Sequence, residues 1–127
     1  MSGFAAYSSL MRPKQWIKNC FVFLPLLFSR MYVHPNLIVL TCSAFVVVCA
    51  LSSAVYAYND SLDYEVDRAH PIKCARPVAS GKITPCNAQI FSALLGLVAL
   101  SFAWVIGRAF FAYALIYALL NISYSLK

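Results

Sequence analysis

The chain has 127 residues, of which 62% are hydrophobic and only 11% charged, and its mean hydropathy is +0.75. That composition excludes an ordinary soluble domain and favours one embedded in a membrane. The formal net charge of +6 comes from ten Lys and Arg against four Asp and Glu, a balance that could signal nucleic acid unless topology explains it.

A spanning helix needs about 20 mostly apolar residues. The first candidate, 16–33, carries Lys18, Pro25 and Arg30. Basic residues before an apolar run also suit a secretory signal. No small-x-small cleavage pattern follows Phe28, however, where Ser29, Arg30 and Met31 stand, so an uncleaved helix is expected. Segment 37–58 is free of charge, and 83–107 and 109–126 follow. The expected fold is all-α: a multi-pass transmembrane bundle of about four helices forming one domain over 1–127. A loop at 68–83 should join the second helix to the third.

With the N-terminus in the cytoplasm, Arg12, Lys14, Lys18, Arg68, Lys73, Arg76, Lys82 and Lys127 lie inside, and Arg30 and Arg108 outside. This asymmetry follows the positive-inside rule. It explains the basic excess without nucleic acid and predicts a multi-pass protein of the inner (plasma) membrane. Trp16 and Trp104 would sit at opposite interfaces, and contact with anionic lipid would be a side effect. Cys20, Cys42, Cys49, Cys74 and Cys86 form no C-x-x-C pair, and His34 and His70 lack ligand spacing to them. Small apolar packing is their expected role, not zinc.

The second helix meets no breaker from Leu37 until Pro71, whose ring disfavours helix at His70. Run to Asp67, it would be about 46 Å long against a hydrocarbon core of about 30 Å. Its last turns should therefore emerge into the cytoplasm. They hold every acidic residue of the chain: Asp60, Asp63, Glu65 and Asp67. At 100° per residue, Asn59, Asp60, Asp63 and Asp67 share an arc of roughly 100°, and Glu65 points off it. Like charges at i,i+4 repel, so a divalent cation or the basic side chains Arg68, Lys73 and Arg76 should compensate them. A solvated helix end is the alternative. Hard carboxylate oxygens suit Mg²⁺, which binds through one or two carboxylates plus substrate phosphates. The face reads as a Mg²⁺–diphosphate site at the cytoplasmic surface.

The third helix should open on Thr84-Pro85, an N-cap with Pro at its first position. Ser92, Ala93, Gly96 and Ala99 suggest close helix packing. Tyr113, Tyr117, Asn121 and Tyr124 recur at helical spacing on the fourth, a stripe read as packing, with a cavity-facing Asn121 as the alternative.

N-D-x-x-D-x-x-x-D at 59–67 resembles the first aspartate motif of the UbiA superfamily of intramembrane prenyltransferases. R-A-H-P-I-K-C-A-R-P-V-A-S-G at 68–81 is similar to the loop after that motif. With R-P-K-Q-W-I-K-N at 12–19, the chain looks closest to the decaprenyl-phosphate phosphoribosyltransferase branch, down to N-I-S-Y-S-L-K at 121–127. The resemblance implies a transferase moving 5-phosphoribose from phosphoribosyl diphosphate to polyprenyl phosphate. The wider family moves a prenyl group from a prenyl diphosphate to an aromatic ring, and that alternative stays open beside a non-catalytic protein retaining a lipid-phosphate or Mg²⁺ site.

Position matching then implies Mg²⁺ ligation by Asn59, Asp63 and Asp67, with Asp60 a direct ligand or a neighbour of one. Gln15, Lys18 and Asn19 would share a helix face toward phosphate or ribose, unless they are an ordinary basic flank. Lys73 and Arg76 would grip the diphosphate or the lipid phosphate. The family carries a second aspartate-rich motif and about twice as many helices, whereas no acidic residue follows Asp67 here. The expectation is the N-terminal half of such an enzyme: a fragment, a truncated gene product, or one part of a split protein whose partner is a complementary C-terminal half.

Overall fold

The computed structural model describes residues 3–126; Lys127, assigned above to the cytoplasmic side, lies outside them. Six α-helices succeed one another, and no strand occurs among the described residues. They are α1 (Gly3–Met11), α2 (Leu24–Phe28), α3 (Pro35–Leu62), α4 (Tyr64–Ala69), α5 (Pro85–Ile106) and α6 (Arg108–Ser125). Three 3₁₀ helices lie between them, Pro13–Phe23, Met31–Val33 and Lys73–Ala75.

Helices α3 and α5 are long and apolar enough to cross a membrane, with mean hydropathies of 2.4 and 2.1. They pack through small residues, which let backbones approach closely. The Ser92 hydroxyl donates to the Ala54 carbonyl at 2.7 Å, and a Cβ added at Gly96 would meet that of Ala54 at 3.9 Å. Thr84 caps α5 as expected, accepting the Asn87 amide at 3.2 Å with Pro85 following. Thr84→Ala should cost about 1 kcal/mol, read as a lower midpoint in detergent unfolding. Val47, Leu51, Ala99, Ala103 and Ala114 join α3, α5 and α6 in one buried cluster.

Two expected elements differ. The first candidate span is not one α-helix over 16–33: it runs as the 3₁₀ helix Pro13–Phe23, short α2 and a further 3₁₀ turn. Pro25 has no amide hydrogen to donate, and Arg30 sits in the left-handed region at φ 57°, ending α2 there. The second helix does not continue unbroken to Asp67. Its regular course ends at Leu62, Asp63 takes φ −90° and ψ 6°, and α4 begins at Tyr64. Repulsion between Asp63 and Asp67, four residues apart, disfavours uninterrupted helix at this point.

The loop 70–83 is folded against the bundle. Val78 and Ile83 are buried with Ala6 and Leu10 of α1, Ala57 of α3 and Ala88 of α5. Gly81 makes the turn at φ 78°, where a side chain would be strained, and its amide reaches the Val78 carbonyl at 3.1 Å. Cys49 is buried, in keeping with the small apolar packing expected of the cysteines.

Candidate functional site

The end of α3, helix α4, the loop and the start of the 3₁₀ helix Pro13–Phe23 meet at one end of the bundle. Two groups form where a single acidic face was expected. The helical angles contain the reason: Asp60 and Asp67 sit near one edge of the shared arc, Asn59 and Asp63 near the other.

Asp60 and Asp67 point inward and are each 2% exposed. Arg76 bridges them, its Nη1 lying 2.5 Å from Asp67 Oδ2 and 3.2 Å from Asp60 Oδ1. Arg12 Nη2 approaches Asp60 Oδ1 at 2.5 Å, and Lys73 Nζ stands 3.8 Å from Asp67 Oδ1. The carboxylates are thus compensated by the chain's own cations. Val78, Ala79 and Ile83, in the same loop as Arg76, are buried, and Arg68 Nε–H donates to the Ala79 carbonyl at 3.2 Å.

Asn59 and Asp63 open instead on a cavity of about 370 Å³ that Tyr124 and Ser125 also line. The Ser125 hydroxyl donates to Asn59 Oδ1. Glu65 is exposed and stands apart from both groups, accepting from the Tyr64 phenol at 2.9 Å. That bond and the Glu65 charge push the Tyr64 phenol above its ordinary pKa.

The stretch 12–19 divides for a geometric reason. A 3₁₀ helix has three residues per turn, so Gln15 and Lys18 eclipse one another while Asn19 turns about 120° away. Asn19 shares its face with Trp16, against α3. Its amide donates to Ser52 Oγ at 3.0 Å, and Trp16 Nε1–H donates to Ser53 Oγ at 2.9 Å. The expectation that Asn19 faces phosphate is therefore corrected: it is buried in helix packing. Lys18 is exposed and Gln15 half-buried. Asn121 donates to the Tyr117 carbonyl of its own helix at 2.8 Å.

Sequence reasoning missed the roles of Arg12 and Ser125, whose partners lie 48 and 66 residues away. It also missed α1, although Phe4, Tyr7, Leu10 and Met11 recur at helical spacing.

Mg²⁺ fits the second group better than the first. Among the described residues no three His, Cys, Asp or Glu side chains are placed to hold a metal by themselves. Asn59 and Asp63 nevertheless offer hard oxygens beside open space, which suits an ion that takes its remaining ligands from phosphate and water.

The UbiA prenyltransferase family profile matches residues 19–127. A decaprenyl-phosphate phosphoribosyltransferase of Corynebacterium glutamicum is 39% identical over 104 residues, covering 80% of this chain and 30% of that protein. A protein of the same description from Mycobacterium tuberculosis is 32% identical over 117 residues, 89% of this chain and 39% of its own length. A protoheme IX farnesyltransferase of Teredinibacter turnerae is 43% identical over 81 residues, 57% of this chain and 25% of the relative. The chain thus spans 25–39% of the length of these three relatives.

Proposed function

The chain belongs to the UbiA prenyltransferase family, and on that premise we propose that its polar end is a Mg²⁺-dependent diphosphate site for transfer of 5-phosphoribose to a polyprenyl phosphate. Its fold is an all-α, multi-pass membrane bundle. The observation that carries the proposal is the juxtaposition of the Asn59–Asp63 cavity with Arg76 and Lys73 around buried Asp67. Oxygens that can hold a cation and nitrogens that can hold phosphate lie at one end of one helix. The stretch 12–19 favours phosphoribose, since Lys14, Gln15 and Lys18 supply hydrogen-bond donors that a prenyl tail would not use.

In the proposed reaction the bond from the anomeric carbon of ribose to the diphosphate oxygen breaks, and diphosphate leaves with the electron pair. An oxygen of the acceptor phosphate then bonds that carbon. Asn59 and Asp63 would hold Mg²⁺, while Asp60 and Asp67 stay in the ion network of Arg12, Arg76 and Lys73. Bound there, Mg²⁺ would neutralise charge growing on the leaving group. Arg76, Lys73 and Lys18 would orient phosphate oxygens through charge-assisted hydrogen bonds. An apolar groove of about 560 Å³ between α3, α5 and α6, lined in part by Leu51, Val55, Gly96 and Ile122, suits a lipid tail. We propose that a complementary C-terminal half supplies a second carboxylate cluster.

The test is transfer of radiolabel from phosphoribosyl diphosphate to decaprenyl phosphate by membranes containing the protein with that half. Farnesyl diphosphate and an aromatic acceptor are assayed in parallel. Label entering lipid supports the proposal, and activity only with farnesyl diphosphate would move the chain to the prenyl branch of its family. We place the site on the cytoplasmic side of an inner membrane. Cys74, exposed in the loop, should then react with a membrane-impermeant maleimide only in inverted vesicles. Reaction only in intact cells would reverse the orientation.

A further inference from the structure

Arg12 has so far served only as a counter-ion of Asp60, yet it is held from three directions. Its backbone is in the left-handed region, φ 52° and ψ 59°, which non-glycine residues seldom adopt. Pro13, directly after it, disfavours the right-handed helical conformation at this position. Its guanidinium carbon stands 5.0 Å from the Tyr56 ring centre, a cation–π contact. Its Nη2 meets Asp60 Oδ1 at 2.5 Å, closer than Arg76 approaches the same oxygen, 3.2 Å.

Arg76 therefore has two buried carboxylates to serve, and one of them already has a nearer cation. With Arg12 on Asp60 and Lys73 3.8 Å from Asp67, Arg76 can turn toward an entering phosphate without leaving either carboxylate lacking a cation. Without Arg12, Asp60 would depend on Arg76 alone, because a buried carboxylate left unpaired is strongly disfavoured. Resting on the diphosphate-site reading above, we infer that Arg12 is a positioning residue that anchors Asp60 and so frees Arg76 to bind diphosphate. Asp60 then acts as the counter-ion of this pair, not as a cation ligand.

The probe is inorganic pyrophosphate with Mg²⁺, titrated calorimetrically into the full chain in lipid nanodiscs. Arg12→Gln should weaken binding about tenfold, as for a site whose competent state is populated about a tenth of the time. Asp60→Asn should bind at least as tightly as the unaltered chain, since Arg76 then has Asp67 alone to serve. The double variant should return to within about twofold of the unaltered chain, because removing the carboxylate removes the competition. A purely structural Arg12 would leave the double variant as weak as Arg12→Gln, and that result would overturn the inference. So would unchanged binding by Arg12→Gln, or a severe loss in Asp60→Asn. Should Arg12→Gln misfold by circular dichroism, Asp60→Asn alone decides. An unaltered chain that ignores pyrophosphate would instead refute the diphosphate site itself.

Discussion

Methionine in place of Arg76 is expected to destabilise the ligand-free protein by about 3–5 kcal/mol, the cost of breaking a buried ion pair from one side. Arg76 Nη1 is within 3.2 Å of Asp60 and 2.5 Å of Asp67, and both carboxylates are buried. Arg12 remains for Asp60, but Asp67 keeps only Lys73 at 3.8 Å, a half-exposed ammonium. The loss should therefore fall mainly on Asp67, and Asp67→Asn in the same background should recover much of it. Arg108→Met makes the comparison, since Arg108 at the start of α6 stands 5.9 Å from the ring centre of Trp104 in α5, and its loss should cost about 1 kcal/mol or less. Reversible unfolding in detergent micelles reads all three. Equal stability of the Arg76 and Arg108 variants would mean that the ion network contributes nothing to the fold.

Asp63→Asn should lower Mg²⁺-dependent affinity for phosphoribosyl diphosphate by roughly 100-fold or more, since even partners of metal ligands cost 10–100-fold when replaced. Asp63 is exposed and shares its cavity with Asn59, so the substitution removes a charge without stranding a buried partner. Its effect should appear in binding and not in stability. Glu65→Gln should change neither, because Glu65 faces away and contacts Tyr64. Equal losses at Asp63 and Glu65 would show a diffuse acidic effect in place of a site.

The parts of the fold legible in the sequence are those set by local pattern. The charge-free runs gave α3 and α5, Thr84-Pro85 gave the cap, and Ser92 and Gly96 gave the face on which the two helices meet. The acidic cluster was legible as a cluster because all four carboxylates fall within eight positions. Its division was less so. Choosing which edge of a 100° arc turns inward needs the cations, and Arg12 comes from 48 residues away. The stretch 13–23 misled for a different reason. Over so few residues, periods of 3.0 and 3.6 select nearly the same positions, yet they send Asn19 to opposite surroundings. The break at Asp63 is a contest between helical continuation and charge repulsion, which no periodicity records.

Equilibrium binding reads out whether this end of the bundle holds a diphosphate through Mg²⁺. Radiolabelled phosphoribosyl diphosphate is incubated with the purified chain in nanodiscs, with Mg²⁺ or with EDTA, and retained label is counted. Label should be retained with Mg²⁺, lost with EDTA, and displaced by unlabelled pyrophosphate. Retention that is the same with and without the metal, or absent in both, would contradict a diphosphate site built on Mg²⁺.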